Sequence, residues 1–144
     1  MFFSFFSSKN KKLVKRWIKE HKAIVAIAGK VIAKYSNNNQ SGAKKELKKL
    51  YNVAIKHIMM EDIELYALFK EEERFDEDTK KLVQEFNHSF RDTKSVLIGF
   101  LGKYIKKDEK LDEEFFNTFN EIVGVLAQRI EFEEKNLYVK LDSK

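Results

Sequence analysis

The sequence predicts an all-α fold, an up-down-up-down antiparallel four-helix bundle, and three observations carry that expectation. Apolar residues recur at spacings of three and four through four long stretches, no proline interrupts any of them, and the segments between are short and polar. With 144 residues, 43% of them hydrophobic and 35% charged, one core and one domain are expected. The chain has no cysteine, which excludes a disulfide framework, a thiolate metal site and a thiol nucleophile; a metal would have to rest on nitrogen and oxygen ligands.

The first helix is expected from about Lys9 to Tyr35, with Val14, Trp17, Ile24, Ala28, Val31 and Tyr35 on one stripe and His21 inside it. Ser36 to Gly42, a run of asparagine, serine and glycine, reads as a loop. The second helix spans about Ala43 to Glu72, its inward face formed by Leu47, Leu50, Ala54, Ile58, Leu65 and Leu68, and His57 and Glu61 share that face one turn apart. The third starts near Asp76 or Asp78, either of which can cap it, and reaches about Ile105. Its face is Val83, Phe86, Phe90, Leu97, Leu101 and Tyr104. After the break at Lys106 to Lys110 the fourth begins near Asp112, with Phe115, Phe119, Ile122, Leu126, Ile130, Leu137 and Leu141 as its stripe and Glu133 within it. Tyr66 and Tyr138 are expected near the bundle end with their hydroxyls in water. Residues 1–8 are set apart as an aromatic arm, and residues 9–144 form the single bundle domain.

The net charge of +5 is unevenly spread. Residues 1–56 carry 14 lysines and arginines against Glu20 and Glu46 alone, whereas the remainder is acidic. The basic side chains run around two helical patterns without an aromatic stacking platform, so no specific nucleic-acid partner is expected and solvated helix faces are. No apolar run is long enough to span a bilayer, and the start of the chain lacks the basic cluster and cleavage site of a secretory signal, so a cytoplasmic protein is expected. Phe2, Phe3, Phe5 and Phe6 ahead of Lys9, Lys11 and Lys12 have the composition of a membrane-contacting arm; the expectation is that they fold over the bundle or into a partner subunit, as a monomer or a homodimer.

His57-Ile-Met-Met-Glu-Asp-Ile-Glu-Leu-Tyr66 can be laid over Arg129-Ile-Glu-Phe-Glu-Glu-Lys-Asn-Leu-Tyr138 at a fixed offset, a weak internal repeat of two helical hairpins that sets Glu61 opposite Glu133. Carboxylates on apolar stripes are costly unless paired or bound to a metal. With His21 and His57 beside them, Glu61 and Glu133 form a donor set suited to iron, manganese or zinc in a bundle core. Taken singly, each residue is explained by a hydrogen bond or by an ion pair, such as Arg129 with Glu133 one turn on. Taken together on facing stripes they favour a metal. No nucleophile with its base and no glycine-rich phosphate loop is visible, so catalysis is not indicated.

At these residues the chain resembles the hemerythrin-like family of HHE cation-binding proteins, from about residue 13 to 141. The motifs are His21 on the first helix, His57-x-x-x-Glu61 before Leu65-Tyr66 on the second, His88 on the third, and Glu133 before Leu137-Tyr138 on the fourth. The resemblance implies a non-haem iron centre held by His21, His57, Glu61, His88 and Glu133, di-iron or mono-iron, with another divalent metal as an alternative. It also implies dioxygen or nitric oxide as the small ligand, or a role in sensing iron or redox state.

Two positions depart from the pattern. Where the fourth helix should offer a histidine the chain has Arg129, which stays protonated and cannot ligate, so a compromised second metal site is expected. Glu85, Glu131 and Glu134 are substitute ligands, and Tyr51 a remote one. His88, at roughly 100° per residue, points nearly opposite the centre of the third helix's apolar face; an ideal helix leaves it outside, and a π-bulge between His88 and Leu97 would bring it in. Glu85-Phe-Asn-His88 also has the Glu-x-x-His spacing of ferritin-like di-iron proteins, but only once. The alternative to metal binding is a metal-free helical bundle acting as a binding or assembly module through its basic half or its aromatic arm.

Overall fold

The computed structural model describes residues 2–71 and 76–139, with side chains from residue 11 onward except at a few positions. The side chains of Phe2, Phe3, Phe5, Phe6, Leu65, Tyr66, Leu68, Leu137 and Leu141 lie outside the described residues. Four helices follow in order, α1 Phe2–Ser36, α2 Gln40–Glu71, α3 Glu77–Tyr104 and α4 Glu113–Phe132, and α4 runs on into a π-helical turn at Glu133–Leu137. Helix α1 takes in residues 2–8, which the periodicity sets apart as an arm; it is 35 residues long, about 50 Å at 1.5 Å per residue. Each helix packs on the next, and α1 closes the ring against α4. None of the described helices is long and apolar enough to cross a membrane.

Local chemistry sets the helix ends. Asn38 turns the chain between α1 and α2 with φ of 59°, a left-handed conformation asparagine tolerates. Asn39 then caps α2, its Oδ1 accepting from Gly42 N at 2.9 Å. A Cβ on Gly42 would come within 2.5 Å of the Asn39 amide, so a larger residue there must displace the capping side chain. Asp76, rather than Asp78, caps α3 by accepting from Thr79 N, and Asp112 caps α4 by accepting from Phe115 N, each at 2.8 Å. Lys44 of α2 reaches the end of α3, where its Nζ donates to the carbonyls of Tyr104 and Lys106 at 2.7 Å and to that of Glu109. Gln40 exchanges two hydrogen bonds with the backbone of Leu111, so the two loops at this end of the bundle are tied together.

The apolar stripes pack into two clusters. The larger, toward the tied end, holds Ile24, Ala28, Val31, Leu47, Leu50, Ala54, Leu97, Leu101, Phe115 and Phe119 among others. The smaller is Val14, Trp17, Val83, Phe86 and Tyr138. Phe115 is fully buried and meets Tyr104, Phe100 and Phe119 with ring centroids 4.9, 5.6 and 5.4 Å away. Truncating it removes this junction with little room for collapse: Phe115→Ala is expected to cost about 3–5 kcal/mol, a fall in melting temperature of roughly 10 °C or more by circular dichroism. The two clusters are separate because a polar layer crosses the bundle between them. On α1 it falls at His21, between Trp17 of one cluster and Ile24 of the other.

Candidate metal centre

The polar layer is built by the stripes themselves. His21 follows Trp17 by four residues on the buried face of α1, His57 and Glu61 stand one turn apart on α2, and Glu133 opens the π-turn after α4. They are 2%, 4%, 0% and 1% exposed, and one ligand atom from each lies within 4.8 Å of all the others. His21 Nε2 is 3.0 Å from His57 Nε2 and 3.3 Å from Glu133 Oε1, and His57 Nε2 is 2.8 Å from Glu61 Oε2.

The outer nitrogens fix the rings. His21 Nδ1 lies 2.8 Å from Glu134 Oε2 and His57 Nδ1 lies 2.8 Å from Glu20 Oε1. A carboxylate only accepts, so each Nδ1 carries the hydrogen and each Nε2 turns inward; carboxylate–histidine pairs of this kind orient metal-ligating imidazoles. Two neutral rings would then aim lone pairs at each other across 3.0 Å, an arrangement that needs a proton or a cation between them. Tyr138 Oη donates to Glu61 Oε1 at 2.7 Å and sits 3.4 Å from His21 Nε2.

Electrostatics supply protons when no metal is bound. For Glu61 burial opposes ionisation, but the hydrogen bond from the Glu133 carboxyl, then His57 and the Tyr138 hydroxyl, hold it down at about 2. Burial and the adjacent Glu61 carboxylate push Glu133 well above the ordinary carboxylate range, against the pull of Arg129. Burial also works against a charged His57, yet Glu61 and then Glu20 outweigh it and raise its pKa. His21 moves the other way, lowered by burial in spite of Glu134 and further by the neighbouring His57. Burial raises Tyr138, with the Glu133 and Glu61 charges adding to it, so the phenol stays a donor. These directions favour protonation of the carboxyl pair at Glu133 and of the imidazole pair at His57, positive charge that a divalent ion would supply in their place.

The residues fit a metal. Glu61 Oε2 and Glu133 Oε2 are buried without a well-aligned hydrogen bond among the described residues, although His57 Nε2 lies 2.8 Å from Glu61 Oε2. Four ligands at about 2.1 Å from one tetrahedral ion stand about 3.4 Å apart, between the closest separations of 2.8–3.3 Å and the 4.8 Å that bounds the whole set. Two imidazoles and two carboxylates suit a first-row divalent ion such as iron, manganese or zinc. The sequence profile of the hemerythrin HHE cation-binding domain matches residues 12–141, nearly the whole chain. The chain belongs to the hemerythrin HHE family. No curated protein and no solved structure matches it significantly.

Four of the five predicted ligands of this HHE domain come together, and His88 does not. Helix α3 is regular from Glu77 to Tyr104, with no π-bulge between His88 and Leu97, so Phe86 and Phe90 take the inward positions and His88 is exposed. Glu85 is exposed on the same helix, which leaves the Glu-x-x-His pair of the ferritin-like alternative in solvent. Of the substitute ligands, Glu134 holds His21 and Glu131 pairs in solvent with Lys135 at 2.7 Å. Arg129 is buried at 4% exposure, its Nε 3.6 Å from Glu133 Oε1 and its Nη2 3.8 Å from Asp62 Oδ1.

The π-turn is on α4 instead, and it places residues that α-helical spacing does not. Consecutive Glu133 and Glu134 both reach the cluster, and Tyr138, five residues after Glu133, is buried at 2% with its hydroxyl on Glu61 rather than in water. Glu20 is the other orienting residue that periodicity misses. One signal marks it: it is one of only two acids in the first 56 residues, and it adjoins the histidine of the stripe.

Proposed function

We propose that this HHE domain is an iron-binding protein that holds one ion through His21, His57, Glu61 and Glu133 and takes nitric oxide or dioxygen as its small ligand, in a cytoplasmic setting. The observation that carries this reading is the orientation of both imidazoles, each tied at Nδ1 to a carboxylate so that Nε2 faces a buried carboxylate pair. A ferrous ion would supply the open coordination position and the electron for ligand binding. The chain's own part is to hold it in a dry layer between two apolar clusters, to keep Tyr138 as a hydroxyl donor beside Glu61, and to balance its charge. Taking dioxygen to the peroxide level needs two electrons, more than one ferrous ion provides, whereas nitric oxide binds a single ferrous ion; nitric oxide is therefore the favoured ligand, and with it a role in sensing rather than storage.

Elemental analysis after anaerobic ferrous loading tests the reading. About one iron per chain is expected, with an absorption change on adding nitric oxide, and Glu133→Ala is expected to lower retention by about a hundredfold or more. An iron-free parent, or a variant that retains iron as well as the parent, would point instead to the metal-free module, with Arg129 supplying the cation beside Glu133.

A further inference from the structure

A pocket of about 270 Å³ opens between α2, α3 and α4 beside the metal centre. Phe86 and Phe90 wall it, Arg129 lies at its inner side, and Arg91, Lys94 and Asp62 complete the lining. We propose that it is a binding site for a small oxyanion or carboxylate, seated against the Arg129 guanidinium.

Arg129 carries the argument. The guanidinium has five N–H donors, yet its nearest acceptors among the described residues are the carboxylate oxygens at 3.6 and 3.8 Å, beyond hydrogen-bond reach. The rings of Phe86 and Phe90, with centroids 5.1 and 5.8 Å from Cζ, stack against it and leave its donor edge for a ligand. Arg129 meets Glu133 and Asp62 at ion-pair distance only, which leaves its donors unsaturated where they border the pocket, and a planar two-oxygen acceptor matches the guanidinium fork. Charge selects the same occupant. Three cations meet one carboxylate in the lining, and that carboxylate is engaged, since Lys94 Nζ donates to Asp62 Oδ2 at 2.6 Å. Water could satisfy the donors but not the excess positive charge. By the internal repeat Arg129 stands where the other hairpin has His57, so a ligand position in one half has become an anion-facing position in the other.

The site does not depend on a bound ion, which makes it testable apart from the iron reading. Titration calorimetry of the full chain, stripped with a chelator and separately ferrous-loaded, with nitrate, acetate and inorganic phosphate as probes, is expected to show one saturable site in the stripped protein for at least one probe. Arg129→Gln should weaken that binding about tenfold or more, and Asp62→Asn, which removes the competing carboxylate, should tighten it several-fold. If no probe saturates, or if Arg129→Gln binds as tightly as the parent, the proposal is wrong. Should Arg129→Gln fail to fold, an Asp62→Asn affinity at or below that of the parent overturns it equally. Anion binding in a protein that takes up no iron would count against the iron reading alone.

Discussion

Arg129→His will raise bound iron from about one to about two ions per chain. The substitution completes a second His-x-x-x-Glu on the face of α4 that meets Glu61, and it removes the fixed positive charge now 3.6 Å from Glu133. Asp62, 3.8 Å from the guanidinium, would then be free to serve as a further oxygen ligand beside Glu61 and Glu133. Arg129→Gln is the control, because it deletes the cation without adding an imidazole and should stay at about one ion. Iron and zinc content after loading and gel filtration, beside circular dichroism to confirm folding, decide the matter. An Arg129→His protein with no more metal than the parent would show that something other than this side chain limits the centre, the exposed position of His88 on α3 being the first suspect.

Metal affinity will fall steeply as the solution is acidified. Glu133 is raised above the ordinary carboxylate range and His57 above the ordinary imidazole range, so in the metal-free protein both hold protons that an incoming ion must displace. Glu61, held at about 2, is already ionised at any working pH, and His21, lowered by burial, is already neutral near pH 7 and above, so neither adds to the count there. The sign follows: affinity rises with pH until Glu133 and His57 have lost their protons and levels off above. Below that range each displaced proton makes affinity fall about tenfold per pH unit, so a slope approaching two decades per unit is expected where both are protonated. Zinc titrations across pH 6 to 8, with proton release followed in weak buffer, measure it. A flat profile would show that the cluster does not exchange protons for the ion. Glu133→Gln, which cannot lose a proton, should lose one decade of slope as well as affinity.

Much of the bundle was legible because burial alone explains it. Val14, Trp17, Ile24, Ala28 and Val31 repeat at helical spacing and are all buried, and Asp112 caps α4 as an acid ahead of an apolar run should. The start of α1 was not legible, since Phe2, Phe3, Phe5 and Phe6 come in adjacent pairs that mark no stripe and no capping residue precedes them. At the centre, the candidate ligands that lie on stripes were found from spacing. His88 shows the limit of resemblance, for its phase on α3 placed it outside and the structure leaves it there. Glu20 and Glu134 orient rings across helix interfaces, and such pairings depend on how helices meet, which a single periodicity does not record. Tyr138 was misplaced for a simpler reason: its hydroxyl was assigned to water as an amphipathic side chain at the bundle end, whereas the π-turn brings it inward onto Glu61.

The π-turn at Glu133–Leu137 has a consequence for how this chain tolerates changes of length. It accommodates one residue more per closed ring of backbone than the helix before it, so α4 beyond the turn is phased one position later than an uninterrupted helix would be. A single-residue deletion between 134 and 137 would be absorbed without unfolding anything: the turn would tighten to ordinary helix. The register downstream would be kept, because the deletion removes the one residue that the wide turn had absorbed, and the Tyr138 ring would stay against Trp17 and His21. Closing the turn to α-helix at full length, by contrast, would swing Tyr138 by about 100° and strip Glu61 of its buried hydroxyl donor, so this short stretch tolerates the loss of a residue better than the loss of its wide pitch.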